Sequence, residues 1–211
     1  MKFISFTSQF LEIFQVIVRL ISNNITINIM ILKSKRLILR EVKNSDINSI
    51  LLNMNNFKIS SFMLGIPNPF KKSDAKEWIN HCLKSSKKKP REEYILAITL
   101  KGNDNMIGEV ILNEADFDNK SIELAFWLSE SHWNKGIITE AVESVIDFVF
   151  NKLKMNRLEM AAFVENAGSN ALAKKLGFKF EGTKREASIP ISTKKVHDDN
   201  IYSMLRREYK K

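Results

Sequence analysis

Cysteine is almost absent from this chain, and so are clustered histidines, long apolar runs and internal repeats. The single Cys82 among 211 residues excludes an internal disulfide and fits a reducing, cytoplasmic compartment. It reads as a packing residue on a helix, since unpaired cysteines are mostly buried. The three histidines, His81, His132 and His197, are scattered. None stands at metal-ligand spacing from another His, Cys or acidic residue, so no metal is expected. No uninterrupted apolar run approaches the ~20 residues of a spanning helix. The most apolar stretch, residues 10–21, is broken by Glu12, Gln15 and Arg19. Those breaks exclude a transmembrane segment there and spoil a signal-peptide core.

What is present is ordinary in proportion and unusual in sign. The 44% hydrophobic and 27% charged content match a globular protein, and the length suffices for one domain with a substantial core. The formal charge of +9 favours an anionic partner: nucleic acid, an acidic membrane surface or a polyphosphate cofactor. The densest basic run, residues 84–91, contains Pro90 and is followed by Glu92 and Glu93. It reads as a solvated loop between a helix and a strand. A ribosome or RNA contact is the alternative.

Residues 1–29 differ from the rest, rich in Ile and Phe and poor in Lys. Phe10, Leu11, Phe14, Val18 and Ile21 fall at helical spacing. Three readings stand open: a docked extra helix, a membrane-surface helix, or a translated leader before a start at Met30, which is preferred. Residues 30–211 then form a single domain. From Leu32 strands alternate with helices. Strands are expected at 36–41, 94–100, 106–113, 121–128, 157–165, 178–183 and 201–205. Helices are expected from Asn44, from a cap at Ser73, from Gly136 and over 167–176. This predicts an α/β (α+β) layer architecture with a mixed sheet covered on both faces.

Residues 126–141 carry the most information. An apolar strand ends at Leu128, a polar turn passes through Trp133, Asn134, Lys135 and Gly136, and an amphipathic helix begins. A strand opening into a helix N-terminus leaves backbone N–H groups unpaired, and with the helix dipole they form a phosphate or pyrophosphate site. Gly136 lets a ligand approach the backbone. A second element follows: Asn166, Ser169, Leu172, then Gly177-Phe178. The two together resemble the acyl-CoA-binding core of the GNAT superfamily of N-acetyltransferases, and most of all its RimJ/RimL branch. There the first element runs W-G-x-G-x-A-T-E-A and the second N-x-x-S followed by G-F. Ser34, Arg36, Arg40 and Asp46 also resemble that branch's opening. The resemblance covers residues 31–209.

The resemblance implies a GNAT-type fold, with a mostly antiparallel central sheet flanked by helices. It implies acetyl transfer from acetyl-CoA to a primary amine, on a protein N-terminus or a small molecule, by a monomer or homodimer. It also implies that Asn134, Lys135, Gly136, Ile137, Ile138 and Thr139 cradle the pyrophosphate. Trp127 and Leu128 would pair with the pantetheine arm, which Asn166 would also hold. Two positions depart from the pattern: Asn134 stands where glycine is frequent, and Ile138 where Ala or Gly is expected. Ser169 can point a hydroxyl at the sulfur as general acid. For the base, Glu123 is preferred over Glu109 and Glu186, because a carboxylate in an apolar strand is desolvated. Tyr202 and His197 read as a packed ring and an exposed imidazole. Glu114, Asp116 and Asp118 offer an acidic lip for a polycationic acceptor. The rival reading is a ribosome- or RNA-binding protein on the same fold with little turnover.

Overall fold

A computed structural model describes residues 30–209, so the three readings of the first 29 residues lie outside the described residues. Eight strands form one sheet: β1 (Ile31–Lys33), β2 (Leu37–Glu41), β3 (Tyr94–Leu100), β4 (Asn103–Asp116), β5 (Ser121–Leu128), β6 (Arg157–Phe163), β7 (Lys179–Ser188) and β8 (His197–Leu205). Their order is β1-β2-β3-β4-β5-β6-β8-β7. Every neighbouring pair is antiparallel except β5 and β6.

β3 shows why the sheet has two covered faces. Its five central residues are all buried. Leu96 and Ile98 enter one apolar cluster, and Ile95 and Ala97 another. Side chains alternate across a strand, so β3 is sandwiched. Helices α1 (Ile47–Met54), α2 (Phe57–Ser60) and α3 (Lys72–Ser85) cover one face through Ile50, Met54, Ile59 and Ile79. Helices α4 (Ile137–Asp147) and α5 (Ala167–Lys175) cover the other through Ala141, Val142, Val145 and Leu172. Cys82 is buried in the first cluster, and burial pushes its thiol well above the usual range.

The parallel junction positions the site. β5 and β6 pair only from Ser121 to Glu123 and from Arg157 to Glu159. Beyond those rungs the strands diverge, and residues 124–128 and 160–163 have no partner across the gap. Antiparallel β4 continues to hold β5 as far as Leu128, and β8 holds β6 as far as Phe163. The sheet is therefore a V whose arms are each paired to an antiparallel neighbour and whose opening leaves strand edges unpaired.

Elements differ from the expected bounds mainly at their ends. The cap of α3 is Lys71, with the Asp74 carboxylate accepting from the Lys71 N–H at 2.7 Å; Ser73 lies inside the first turn. The helix after Gly136 passes at Phe148 into a π turn through Lys152. β4 and β7 run longer than their apolar cores, because β3 and β5 pair with the polar ends of β4, and β8 with that of β7.

Candidate active site

A cleft of about 1410 Å³ occupies the opening of the V. Trp127, Leu128, Asn134, Gly136, Ile137, Ile138, Thr139, Asn166, Ser169 and Glu123 all line it. The structure thus gathers residues that lie up to 46 positions apart in the sequence. Lys135 is not among the lining residues.

The turn before α4 has the geometry an anion site needs. Asn134 and Gly136 both have positive φ, at 57° and 69°. Asparagine tolerates this left-handed region better than other side chains, which accounts for Asn134 at a glycine-like position. Gly136 is the N-cap of α4, and no side chain caps that end. The first intrahelical bond is from the Glu140 N–H to the Gly136 carbonyl at 3.1 Å, so the preceding N–H groups lack helical partners. Ile138 is half-buried against the core, so its branched side chain leaves the backbone approachable.

That turn is braced from both sides. The Trp133 indole donates to the Leu128 carbonyl at 2.7 Å, and Lys135 Nζ donates to the Ser131 carbonyl at 2.7 Å. From the start of β2, Arg36 donates Nη1 to the Lys135 carbonyl at 3.0 Å and Nε to Glu140 Oε2 at 2.7 Å. The Ser34 hydroxyl and the Arg36 N–H both donate to Glu140 Oε1, at 2.7 and 2.6 Å. Burial raises the Glu140 carboxyl, but these donors outweigh it and leave its pKa lowered. The same segment anchors α1, where Arg40 grips Asp46 with two bonds of 2.8 Å.

Asn166 and Ser169 share the start of α5. Asn166 Oδ1 accepts the Ser169 N–H at 3.1 Å and so caps the helix. Capping therefore falls to Asn166, and Ser169 is among the residues that line the cleft. Tyr202 is a buried ring whose hydroxyl donates to Asn170 at 2.7 Å.

Three carboxylates were candidates for the base. Glu123 stands at the vertex, on the last rung that joins β5 and β6. Burial and then the charge on Glu114 raise its pKa. Glu109 is more extreme. It lies opposite Trp127 on the same face of the sheet, is 1% exposed, and its pKa is raised to about 7 by burial. Its two oxygens accept the indole N–H groups of Trp78 at 3.0 Å and Trp127 at 2.7 Å. Those bonds oppose the shift without cancelling it. Both Glu109 and Glu123 line the cleft. Glu186 does not: it is exposed, at φ 50° on a bulge of β7. Glu114, Asp116 and Asp118 also lie outside the cleft lining, and Asp116 is occupied in closing its own turn onto the N–H groups of Asp118 and Asn119.

The opposite wall holds residues that sequence reasoning passed over or read differently. Asp199 and Ser188 line the cleft on β8 and β7. His197 is not exposed but stacks on Phe163 with ring centroids 4.6 Å apart. Two loops meet above: the Ile191 N–H donates to the Leu64 carbonyl at 3.0 Å, and the Ser192 hydroxyl to the Ser60 carbonyl at 3.1 Å. Asp199 stands beside Asp198 within β8, and nothing local in the sequence marks it as buried. Among the described residues no group of three or more His, Cys, Asp or Glu is placed to hold a metal, and no helix is long and apolar enough to cross a membrane.

Comparison with known proteins agrees with this geometry. The family model for the acetyltransferase (GNAT) domain matches residues 36–179. The uncharacterized N-acetyltransferase p20 of Bacillus licheniformis is 34% identical over 113 residues, which is 54% of this chain and 62% of that protein. The ribosomal-protein-serine acetyltransferase of Escherichia coli K12 is 31% identical over 103 residues, 48% of this chain and 56% of that protein. The matched stretch therefore spans less than two thirds of either relative's length. Among solved structures, the microcin C7 self-immunity acetyltransferase MccE, determined with acetyl-CoA and AMP, superposes with a TM-score of 0.71 at 25% identity, over 81% of this chain and 93% of that one. With a splayed β5–β6 junction, an uncapped helix behind Gly136 and a family match over most of its length, this chain belongs to the GNAT acetyltransferase family.

Proposed function

We propose that this protein transfers the acetyl group of acetyl-CoA to a primary amine. The observation that carries the reading is the junction itself. The V of β5 and β6 leaves strand edges free beside the uncapped N-terminus of α4. An extended pantetheine arm fits the first, and a pyrophosphate the second. In this reading the N–H groups of residues 134–139 hold the pyrophosphate, and Trp127 and Leu128 line the pantetheine arm. Asn166 keeps Nδ2 for the same arm, since only its Oδ1 is used in capping.

The chain's own groups then divide the proton work. The amine nitrogen attacks the thioester carbonyl carbon, the C–S bond breaks, and the electron pair leaves on sulfur. Ser169 supplies a proton to that thiolate. The amine's proton passes through water to Glu123, which sits at the vertex with a raised pKa. The acceptor is a protein N-terminal amine or a small amine; the Escherichia coli relative is named for a ribosomal-protein acceptor. The single, buried Cys82 is consistent with work in a reducing cytoplasm.

A cheap test exists. Acetyl-CoA should raise the thermal midpoint, because a ligand that binds only the folded state stabilises it. Gly136→Glu should abolish the rise. The substitution forces a side chain into the left-handed region and sets a negative charge against the pyrophosphate. An unchanged rise in a folded Gly136→Glu protein would remove the cofactor from this turn.

A further inference from the structure

Resting on the acetyltransferase reading, we infer that Asp199, held by Ser188, is the anchor for the acceptor's ammonium group, and that the acceptor carries this ammonium on an apolar body. Asp199 is 8% exposed and lines the cleft. Its Oδ2 accepts the Ser188 hydroxyl at 2.6 Å. Its Oδ1 is buried and has no hydrogen-bond partner. A buried carboxylate oxygen without a donor costs several times what a paired one does. Such an atom at the wall of a substrate cleft is explained when the substrate brings the donor.

The neighbouring groups define what kind of donor. His197 lies two residues before Asp199 on β8, hence on the same face. Its Nδ1 faces Glu165 at 3.3 Å, and its Nε2 is also buried without a partner. His197 itself is not among the residues that line the cleft. Asp199 Oδ1 stands without a donor, and a primary ammonium brings N–H donors and a compensating charge.

The surroundings define the body. Phe163 is the register partner of Asp199. Phe62 leans on Phe163 with ring centroids 6.3 Å apart. Leu64 and Ile191, joined across the top of the cleft, are both more than half exposed and line it too. A charged anchor beside this wall fits an ammonium adjacent to an apolar side chain. Of the other carboxylates of the cleft, Asp74 and Glu77 stand on α3, Glu109 on β4 and Glu123 on β5, so at this wall the ammonium meets Asp199 among apolar side chains.

The experiment uses the full chain with acetyl-CoA, reading free CoA thiol. Phenethylamine and leucinamide are the apolar amines, and spermidine is the polycation. Wild type should turn over the apolar amines with a KM at least tenfold below that for spermidine. Asp199→Asn should raise that KM tenfold or more with kcat changed less than threefold, and leave the acetyl-CoA midpoint rise intact. Ser188→Ala should move KM the same way by a smaller factor, and it decides the matter if Asp199→Asn does not fold. Unchanged KM in the folded variants would overturn the assignment. So would preference for spermidine, or a normal acetyl-CoA rise with no thiol released from either apolar amine. Absence of both the acetyl-CoA rise and any thiol release would instead defeat the acetyltransferase reading beneath it.

Discussion

Glu109 shows how one residue can be costly and retained. Its carboxyl has an ordinary value of 4.5, and burial raises it to about 7 in the folded protein. Between those values the folded state binds a proton that the unfolded state has released. Stability from this group is therefore fully present below pH 4.5 and is lost as pH rises through about 7. A difference of that size corresponds to a cost on the order of 3 kcal/mol. In return the ionised carboxylate fixes two indoles, and Trp127 forms part of the cleft wall. Urea unfolding at pH 5.5 and pH 8 should show wild type losing stability across that interval by about 2 kcal/mol more than Glu109→Gln. Equal losses in the two proteins would mean that the carboxyl is not desolvated as its burial implies. Ser169 is tested by a different split. Ser169→Ala should lower turnover by on the order of ~10² as for general acid catalysis, with acetyl-CoA affinity nearly unchanged. Loss of affinity with turnover intact would reassign its hydroxyl to binding. Glu109 was legible as a candidate because a carboxylate stands out in an apolar strand, and Ser169 because it lies three residues after Asn166 in a motif that resembles the family's. Asp199 was not, because its burial depends on the pairing of β8 with β6, which no local pattern reveals.

At the scale of elements, the segment from Ser34 to Arg36 and the start of α4 act as one unit. Both had been read as separate likenesses to one family, and the structure supplies the reason they occur together. Glu140 is the shared partner, receiving Ser34, the Arg36 N–H and the Arg36 guanidinium. Arg36 also fixes the Lys135 carbonyl, so it sets the shape of the turn without facing the cleft. Glu140→Gln should keep the fold, since the pair is partly exposed and such pairs contribute little to stability. It should nevertheless weaken acetyl-CoA binding several-fold by loosening residues 134–136. Titration of the variant by calorimetry checks this, and affinity equal to wild type would show that the turn holds its shape unaided. Strands β3 and β5 were readable to the residue because each is apolar between clear turn signals. Helix α2 went unseen because four residues are too few to show a helical period. The splay of β5 from β6 was equally hidden. It depends on where two remote strands stop pairing, and neither strand's composition marks that point.

At the scale of the molecule, the charge is divided between surface and site. The chain carries a formal +9, yet the cleft is lined by Asp74, Glu77, Glu109, Glu123, Glu165 and Asp199 against Lys58 and Lys175. Lys58 is already paired with Glu130. Within the basic run, Arg91 is used internally, donating to Glu41 at 2.7 Å and lying over the Tyr94 ring at 4.7 Å. The remaining lysines from 87 to 89 are exposed. A polyphosphate chain would meet favourable charge on the outside and repulsion on the acceptor side of the cleft, with the N-terminus of α4 as the local exception. Single-stranded RNA should therefore bind weakly and lose affinity steeply with added salt, as phosphate contacts do. It should not compete for the acceptor side. The decisive measurement is amine turnover at 150 mM salt with and without an excess of a short RNA. Unchanged KM for the amine is expected. A rise in that KM proportional to RNA concentration would show that the basic surface continues into the cleft, and would favour the nucleic-acid reading over the acetyltransferase one.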